Sequence, residues 1–229
     1  LFRSCCQCAA AMSSRSKEVK SSMSMPTTPQ RVAVVTGGAK GIGSEVCRGL
    51  VARGHKVWIA DLDLPQAQSL ANELQQLGGH AQAIALDVGK PDSVVQTFAE
   101  IDAQDHRCDV LVNSAGIAKV FPFLDFPLAN FVDTLNINVT GTLLCAQHAA
   151  RLMMRHRWGR IVNIASVAGL RAVGSGRTAY GTSKGAVVAL TRQMAVELAE
   201  HGITANAVCP GPVDTPMTRV LHTDRKSVV

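Results

Sequence analysis

Between Arg31 and Val208, short apolar runs alternate with longer segments of helical pattern, and this alternation restricts the chain to few folds. It predicts a parallel sheet covered by helices. Each run is nearly all apolar, so we expect strands buried on both faces. The predicted strands are Val32 to Thr36, Lys56 to Asp61, Ala81 to Leu86, Val110 to Asn113, Arg160 to Ala165 and Ile203 to Val208. The predicted helices lie near Ile42 to Arg53, Pro65 to Leu77, Asp92 to Ala103, Leu128 to His156 and Ala179 to His201.

Right-handed crossovers between such strands give a Rossmann-type, doubly wound α/β sheet. The chain has 229 residues, of which 47% are hydrophobic, and this is enough for one domain with a sizeable core. We therefore expect a single domain over residues 31 to 223. Ligands of these sheets bind at the carboxyl ends of the strands, so the residues that follow each strand are the candidates for function.

The two ends of the chain differ from this middle part. Residues 1 to 30 are rich in Ser, Cys and basic residues and lack hydrophobic periodicity. This favours a disordered or non-native extension, with Met23 or Met25 as the natural start, over a mitochondrial transit peptide. Residues 224 to 229 match what one frame of a common sequencing adapter encodes, so we expect them to be an artefact.

Charge and cysteine content argue against several classes of protein. The net charge of +6 has its excess near the two ends, and we expect the arginines at 151, 155, 157 and 160 on a solvated face, so no nucleic-acid partner is expected. The seven cysteines are an odd number with a single Cys-x-x-Cys spacing, Cys5 to Cys8, and no second one to pair with it, which argues against a disulfide scaffold or a metal site and fits a reducing, cytoplasmic compartment. No apolar run approaches the roughly 18 residues that span a bilayer, so no membrane partner is expected.

A glycine-rich segment joins the first predicted strand to the first predicted helix. Gly37, Gly41 and Gly43 follow the spacing Gly-x-x-x-Gly-x-Gly, with Lys40 and Ile42 between them. Glycine permits a tight turn and lets the backbone approach a pyrophosphate, which would meet the free amides and the positive dipole end of the helix. By itself this spacing fits either a nucleotide site or an ordinary turn.

Asp61 ends the second predicted strand, about 20 residues past the glycines. A carboxylate there accepts hydrogen bonds from the adenosine ribose and repels a 2′-phosphate, which favours NAD over NADP. Lys40 offers the opposite interaction with a 2′-phosphate, but nothing in NAD conflicts with it. The alternative for Asp61 is a solvated strand end, and we expect Asp63 to be only a solvated turn residue.

Several motifs in a fixed order resemble those of one family. They are Thr36 to Gly43, Asp87-Val88, Asn113-Ser114-Ala115-Gly116, Asn138, Ser166, Tyr180-x-x-x-Lys184 and Pro210-Gly211. With these motifs, residues 30 to 220 resemble a classical short-chain dehydrogenase/reductase of the polyol dehydrogenase or 3-oxoacyl reductase type. Ser166 and Tyr180 are 14 positions apart, one more than the commonest family spacing, and we expect the extra residue in the loop Gly174-Ser175-Gly176.

The resemblance implies a set of cofactor-binding residues beyond the glycine segment. Asp87 and Val88 would hold the adenine, Asn113, Ala115 and Gly116 would support the sheet beside the ribose, and Pro210, Gly211, Val213 and Thr215 would position the nicotinamide. Asn113 could instead serve structure by joining adjacent strands. Family members continue well beyond the Pro-Gly segment, whereas 18 residues follow Gly211 here, so we expect the last strand and the C-terminal helices to be missing. A full-length chain would form a homodimer or homotetramer.

Tyr180 and Lys184 lie four residues apart on a predicted helix, so they share one face. A free tyrosine has a pKa of about 10, and a nearby ammonium group would lower it enough for Tyr180 to act as general acid or base. Ser166 follows the fifth predicted strand, where its hydroxyl would polarise the substrate oxygen. The resemblance adds that Lys184 binds the nicotinamide ribose and that Asn138, preferred to its rival Asn136, holds a water for proton relay.

Two functional hypotheses follow. The first is an NAD(P)-dependent oxidoreductase that transfers a hydride between nicotinamide and a secondary alcohol or ketone, with a sugar alcohol or a 3-oxoacyl compound as the small-molecule substrate and NAD as the expected cofactor. The second is a catalytically inactive dinucleotide-binding protein formed by a shortened chain. The histidines lack companions at ligand spacing, which argues against a zinc dehydrogenase. Ser166 lies in Ala-Ser-Val rather than in a Gly-x-Ser-x-Gly elbow, which argues against a serine hydrolase.

Overall fold

A parallel sheet of six strands forms the centre of the computed structural model, which describes residues 30 to 216 and Thr218. The strands are β1 (Val32–Thr36), β2 (Lys56–Asp61), β3 (His80–Ala85), β4 (Val110–Asn113), β5 (Gly159–Ile164) and β6 (Ile203–Val208). All six predicted strands are confirmed, with β3 and β5 placed one residue earlier than expected. The predictions for the adapter-like residues 224 to 229, and for the N-terminal extension apart from Gln30, lie outside the described residues.

Among the described residues, the α-helices that connect or follow the strands are α1 (Gly41–Ala52), α2 (Leu64–Gln76), α3 (Pro91–Asp105), α4 (Leu128–Leu135), α5 (Gly141–Met154) and α6 (Thr178–Leu198). The segment predicted as one helix from Leu128 to His156 contains α4, a π-helical stretch at Asn136–Thr140 and then α5. A π-helical turn inserts one extra residue into the helical ladder, which changes the direction in which the following side chains point.

The strand order is β3-β2-β1-β4-β5-β6, and every neighbouring pair is parallel. The chain first proceeds outward from β1 to β3 and then returns to place β4 on the other side of β1. The crossover direction therefore reverses between β1 and β4. A crevice forms outside the carboxyl ends of the strands at such a switch point, and ligands bind there.

Two apolar layers bury the faces of the sheet. On one face, Val34 and Trp58 pack with residues of α3, α5 and α6 that include Ile101 and Met153. On the other face, alternate residues of the same strands pack against α1 and α2, where Cys47, Leu70 and Leu74 are buried. Successive side chains of a strand point to opposite faces, so the nearly continuous apolar runs of β1 and β2 fit burial on both sides.

The expectation that every strand is buried on both faces is wrong for β6. Ile203 and Ala205 are buried, but Thr204 and Asn206 are exposed and Val208 is 47% exposed. α6 packs against one face of β6, while the helices on the opposite side, α1 and α2, pack against β1, β2 and β3. In the described part of the chain, the second face of β6 is therefore open to solvent, which agrees with its two polar residues.

Candidate active site

The glycine segment forms a strand-to-helix turn between β1 and α1. Gly37 and Gly41 have φ values of 63° and 60°, a left-handed conformation that favours glycine. A Cβ atom on Gly37 would lie 2.7 Å from the backbone of Ala115, and one on Gly43 would lie 2.1 Å from the carbonyl oxygen of Gly37. Gly43 therefore allows α1 to approach the turn closely.

The amino end of α1 presents backbone donors beside this turn. Lys40 is the N-cap residue, and no side chain caps the helix. The first N–H groups of a helix have no partner within it, and the helix dipole adds positive potential at this end. An anionic group such as a pyrophosphate is stabilised by such an arrangement.

A cavity of about 550 Å³ extends along the carboxyl ends of the strands, from Asp61 at the end of β2 to Tyr180 on α6. This volume is typical of small-molecule sites. Its lining contains most of the predicted site residues, namely Gly37, Lys40, Gly41, Ile42, Asp61, Asp87, Val88, Ala115, Gly116, Ser166, Tyr180, Lys184, Pro210, Gly211, Val213 and Thr215. Gly43, Asn113 and Asn138, which were also predicted, do not line it.

The cavity lining also contains residues that were not predicted from the sequence. They are Leu62, Asp63, Leu86, Ser114, Ile117, Ile137, Ile164, Ala165, Pro216 and Thr218. Each lies within three positions of a predicted site residue, so extending every motif along its strand end or loop would have found them. The apolar members give the cavity walls that a motif comparison based on polar residues does not indicate.

Asp61 is not a solvated strand end, because its side chain is only 8% exposed. Its carboxylate accepts hydrogen bonds from the backbone amides of Ala39 at 2.9 Å and Asp63 at 3.0 Å. Asp61 thereby connects the end of β2 to the glycine segment. A carboxylate has about four acceptor positions, so Asp61 retains the capacity to bind a ligand as well.

Asp63 is more than the turn residue that we expected. Its carboxylate caps α2 by accepting a hydrogen bond from the Gln66 amide at 3.2 Å, and it forms an ion pair with Lys40 at 3.5 Å. The Lys40 ammonium group therefore already has a carboxylate partner. With Asp61 included, this end of the cavity contains two carboxylates and one ammonium group.

The loop after β3 is fixed by its own polar contacts. Asp87 accepts a hydrogen bond from the Gly89 amide at 3.0 Å, and Asn136 donates one to the Gly89 carbonyl at 3.0 Å. Asn136 therefore supports the loop that contains Asp87 and Val88. The structure thus distinguishes Asn136 from Asn138, whose contacts lie elsewhere.

Asn138 lies in the π-helical stretch and is 1% exposed. Its side-chain oxygen accepts a hydrogen bond from the Ile117 amide at 2.8 Å, and its nitrogen donates to the Ile117 carbonyl and to Ser183 Oγ, both at 2.9 Å. The amide group that was expected to hold a water is thus bonded to protein atoms. Asn138 positions Ile117, which does line the cavity.

Asn113 lies beneath the cavity lining and is 4% exposed. Its Nδ2 atom donates to Asn163 Oδ1 at 2.9 Å, and these two residues are paired neighbours on β4 and β5. Asn163 in turn donates to Thr191 Oγ1 on α6 at 2.8 Å. Of the two roles considered for Asn113, the structure places it in the one that joins adjacent strands.

Tyr180 lies in the first turn of α6, and Lys184 lies one turn later. The Lys184 side chain is buried, its Nζ atom donates to the Ile164 carbonyl at 2.7 Å, and this atom lies 5.7 Å from the centre of the Tyr180 ring. Burial lowers the pKa of Lys184 from 10.5 to about 8, and the nearby Cys209 opposes this shift. An ammonium group is therefore held close to the only tyrosine of the chain.

Ser166 follows β5 with an extended backbone and begins the short 3₁₀ turn Val167–Gly169. Its Oγ atom accepts a hydrogen bond from the Ala168 amide at 3.1 Å. A hydroxyl group that accepts one hydrogen bond still has its own hydrogen to donate. Ser166 and Tyr180 thus bring two hydroxyl groups to the same cavity.

The described residues also bear on metal binding and on membrane-spanning helices. Within residues 30 to 216, no three His, Cys, Asp or Glu side chains come together in a way that would hold a metal ion. The helices in the described part of the chain are each too short or too polar to cross a membrane.

Comparisons with known proteins agree with this architecture. A family model described as short chain dehydrogenase matches residues 31 to 226. The uncharacterized oxidoreductase YxjF of Bacillus subtilis (strain 168) is 41% identical over 191 residues, which cover 83% of this chain and 74% of YxjF. The 3-oxoacyl-[acyl-carrier-protein] reductase FabG of Aquifex aeolicus (strain VF5) is 36% identical over 197 residues, covering 86% and 79%. The NADP active-site complex of Pseudomonas aeruginosa RhlG has a TM-score of 0.80 and 32% identity, covering 86% and 78%.

The family resemblance and the Rossmann-type fold expected from the sequence are both confirmed by these matches. Because the family model spans most of the chain and a relative at 41% identity covers 83% of it, the family is established. The chain belongs to the short-chain dehydrogenases, which are oxidoreductases that act on hydroxyl and keto groups with NAD or NADP.

Proposed function

We propose that this chain interconverts a secondary alcohol and its ketone, with Tyr180 as the general acid and base. The observation that carries the proposal is that Tyr180, Lys184 and Ser166 line one cavity together with the glycine turn. Tyr180 and Lys184 lie on α6, Ser166 follows β5 and the glycine turn follows β1, so only the fold brings these groups together. A nicotinamide dinucleotide bound in this cavity would supply or accept the hydride.

Tyr180, Lys184 and Ser166 have different functions in the proposed proton transfer. In ketone reduction, the Tyr180 hydroxyl gives its proton to the carbonyl oxygen, and in alcohol oxidation the tyrosinate takes a proton from the hydroxyl. The buried ammonium group of Lys184 places a positive charge beside the ring on which negative charge develops during the transfer. The Ser166 hydroxyl donates a hydrogen bond to the substrate oxygen and orients it.

The opposite end of the cavity fits a dinucleotide. The uncapped amides at the start of α1 suit the pyrophosphate, and Asp61 suits the ribose hydroxyls. Asp87 and Val88 would contact the adenine. Pro210, Val213 and Thr215 line the cavity after β6, where they would position the nicotinamide.

We propose NAD as the preferred cofactor. Two carboxylates, Asp61 and Asp63, face one ammonium group at this end of the cavity, and Asp63 already pairs with that group, which belongs to Lys40. A 2′-phosphate would therefore meet net negative charge. The related RhlG forms a complex with NADP, so the ratio of the NAD and NADP affinities of this chain is the measurement that tests this proposal.

The test of the mechanism is the Tyr180→Phe substitution, which removes only the hydroxyl group. We expect kcat to fall by about 10²-fold to 10⁴-fold, the usual contribution of a general acid or base, while the Kd of the coenzyme changes little. Turnover is followed by nicotinamide absorbance with a panel of ketones and polyols, and binding by calorimetry. Residual activity near that of the unmodified chain would contradict the role of Tyr180.

The same panel tests the alternative of an inactive dinucleotide-binding protein. That alternative predicts that the unmodified chain binds the coenzyme with no turnover of any ketone or polyol. A rate above the Tyr180→Phe background for at least one substrate would exclude it. Cofactor binding is measured in the same samples, so loss of folding cannot imitate lack of catalysis.

We also propose that the chain self-associates through α5 and α6, the helices that correspond to the dimer face of the family. Val196 on α6 is 74% exposed and Met154 at the end of α5 is 39% exposed, and exposed apolar residues of this kind suit an interface. Sedimentation velocity over a range of concentrations gives the oligomeric state. A monomer at all concentrations would contradict this proposal.

A further inference from the structure

Aromatic side chains are concentrated in the segment that joins β4 to α4. The chain has six phenylalanines, of which three, at positions 121, 123 and 126, lie in this segment and a fourth, Phe131, lies in α4. Phe121 and Phe126 pack edge to face with ring centres 5.4 Å apart, and Phe126 and Phe131 do so at 6.4 Å. Edge-to-face pairs are favourable contacts, so three of the rings stabilise one another.

The same segment also exposes large apolar side chains. Phe123 is 74% exposed and Leu124 is 92% exposed. We call residues 120 to 126 the apolar platform. Asp125 is its only polar residue, and the backbone amide of Asp125 bonds to the Pro122 carbonyl within the platform. Exposed apolar surface of this kind on a folded domain commonly marks a binding site.

The platform adjoins two segments that lead to the catalytic end of the cavity, although its own residues do not line the cavity. It begins three residues after Ile117, which lines the cavity and is held by Asn138. The Phe121 amide donates to the Gly176 carbonyl at 3.1 Å, and a Cβ atom on Gly176 would lie 2.6 Å from Val120 Cγ1. Gly176 is four residues before Tyr180, so the platform packs against the loop that leads to the proposed acid.

This surface suits alkyl groups better than sugar hydroxyls. The ammonium group of Lys119, just before the platform, is already bonded to Asn130 at 3.0 Å and to Asp133 at 3.3 Å. A polyol needs a hydrogen-bond partner for each hydroxyl that loses water, because an unpaired buried polar group is costly. An alkyl chain needs only apolar surface to cover it.

We propose that the substrate of this enzyme has an unbranched alkyl or acyl chain beside its keto or hydroxyl group, and that the apolar platform binds this chain. The inference rests on the proposed function, since it places the reacting carbon next to Tyr180. It selects the apolar class of substrate over the sugar alcohols. It also assigns a function to the exposed side chains of Phe123 and Leu124.

The test uses a series of uncharged ketones, pentan-2-one, heptan-2-one and nonan-2-one, with fructose as the polar comparison. Burying one methylene group contributes about 0.8 kcal/mol, so kcat/KM should rise about fourfold for each methylene that the platform covers. We expect fructose to react more slowly than any of the three ketones. A value of kcat/KM that does not depend on chain length would overturn the inference.

The platform is then removed by the double substitution Phe123→Ser and Leu124→Ser, with Leu77→Ser as the matched control. Leu77 is 77% exposed at the end of α2 and does not line the cavity. We expect the double variant to reduce the increase per methylene to less than about twofold, because the apolar surface is gone. The control should keep the full increase. Equal slopes in the double variant and the control would contradict the proposal.

Binding measured without catalysis separates this inference from the proposed function. Calorimetry with nonan-2-one and the chain saturated with oxidised coenzyme, which cannot reduce the ketone, should give a Kd that the double substitution weakens at least about tenfold. If no ketone is turned over but this binding difference is found, the proposed function fails and the platform remains. If binding is unaffected and the double substitution instead changes the sedimentation coefficient, the platform contacts a second copy of the chain and the inference fails.

Discussion

Lys184 has a positive charge that folding transfers out of water. Burial lowers its pKa from 10.5 to about 8 in the folded state. Below pH 8 both the folded and the unfolded chain hold this proton, and the folded state bears the full cost of the buried charge. Between pH 8 and 10.5 the folded chain loses the proton first, so this cost disappears as pH rises. We therefore expect the stability of the unmodified chain, relative to a Lys184→Met variant, to rise by about 3 kcal/mol across this window.

Urea unfolding at several pH values between 7.5 and 10.5 measures this difference. Lys90→Met is the matched control, because the Lys90 side chain is 75% exposed and folding does not bury its charge. The Lys184→Met variant should also lose turnover, so the lysine would be a residue kept for activity at the expense of stability. If the unfolding free energies of the Lys184→Met variant and the unmodified chain change in parallel with pH, the buried ammonium group does not have this effect.

The ion pair between Lys40 and Asp63 should influence the choice of coenzyme. Asp63→Asn removes the charge but retains a residue able to cap α2. Because Lys40 is then free to meet a 2′-phosphate, we expect the NADP affinity relative to NAD to rise about fivefold, as for an exposed ion pair of about 1 kcal/mol. Asp61→Ala should relax the preference further. Asp92→Asn at the exposed start of α3 is the control. If the ratio of NADP affinity to NAD affinity changes no more in Asp63→Asn than in this control, the role of Lys40 is contradicted.

At the scale of elements, the start of α1 depends on a glycine that does not line the cavity. A Cβ atom on Gly43 would lie 2.1 Å from the Gly37 carbonyl oxygen, so Gly43→Ala forces the helix away from the turn. We expect a loss of about 1 to 3 kcal/mol in stability, as for other overpacked sites, and a coenzyme Kd at least about tenfold weaker. Thermal unfolding and calorimetry measure the two effects.

Gly49 provides the matched control within the same helix. A Cβ atom there would contact only the flexible end of the Arg53 side chain, at 3.4 Å. Gly49→Ala should therefore leave coenzyme binding unchanged and raise stability by up to about 1 kcal/mol, the difference in helix propensity. If Gly43→Ala and Gly49→Ala change the Kd of the coenzyme to a similar extent, the close packing of α1 on the turn is not the cause of weaker binding.

The elements differ in how well the sequence predicts them, for physical reasons. β1, β2, β4 and β6 have the predicted bounds, because short apolar runs bounded by polar or glycine residues define a strand locally. The π-helical stretch at Asn136–Thr140 was not predicted, because the hydrophobic periodicity through it stays helical. The hydrogen bonds of Asn138 to Ile117 and Ser183 depend on residues distant in the chain, and no local pattern reports them.

The candidate site likewise contains features that the sequence predicts and features that it does not. The glycine turn, Asp61 and the Tyr180-Lys184 pair each have a recognisable spacing, and the structure brings all of them to one cavity. The structural positions of Asn113 and Asn138, by contrast, depend on partners in other elements, so a motif could not distinguish a residue that lines the cavity from one that supports it. The capping and pairing contacts of Asp63 are likewise visible only in three dimensions.

At the scale of the whole molecule, the two edges of the sheet should differ in protection from hydrogen exchange. β3 and β6 are both edge strands of the sheet. One face of β3 packs against α2, and Thr97 and Phe98 of α3 lie near its other face. In the described part of the chain, α6 covers only one face of β6. Backbone amides under fewer covering groups open more readily. We therefore expect the amides of β6 to exchange faster than those of β3, and β1 and β4 at the centre to exchange slowest.

Hydrogen exchange followed by mass spectrometry of peptides that cover each strand makes this comparison within one sample. Peptides from β3 control for edge position, so a faster rate in β6 reports the uncovered face around Thr204 and Asn206. Protection of β6 equal to that of β3 would contradict the open face and show that something covers it in solution. Repeating the measurement at low protein concentration then identifies the cover, because contact with a second copy is lost on dilution whereas contact within the chain is not.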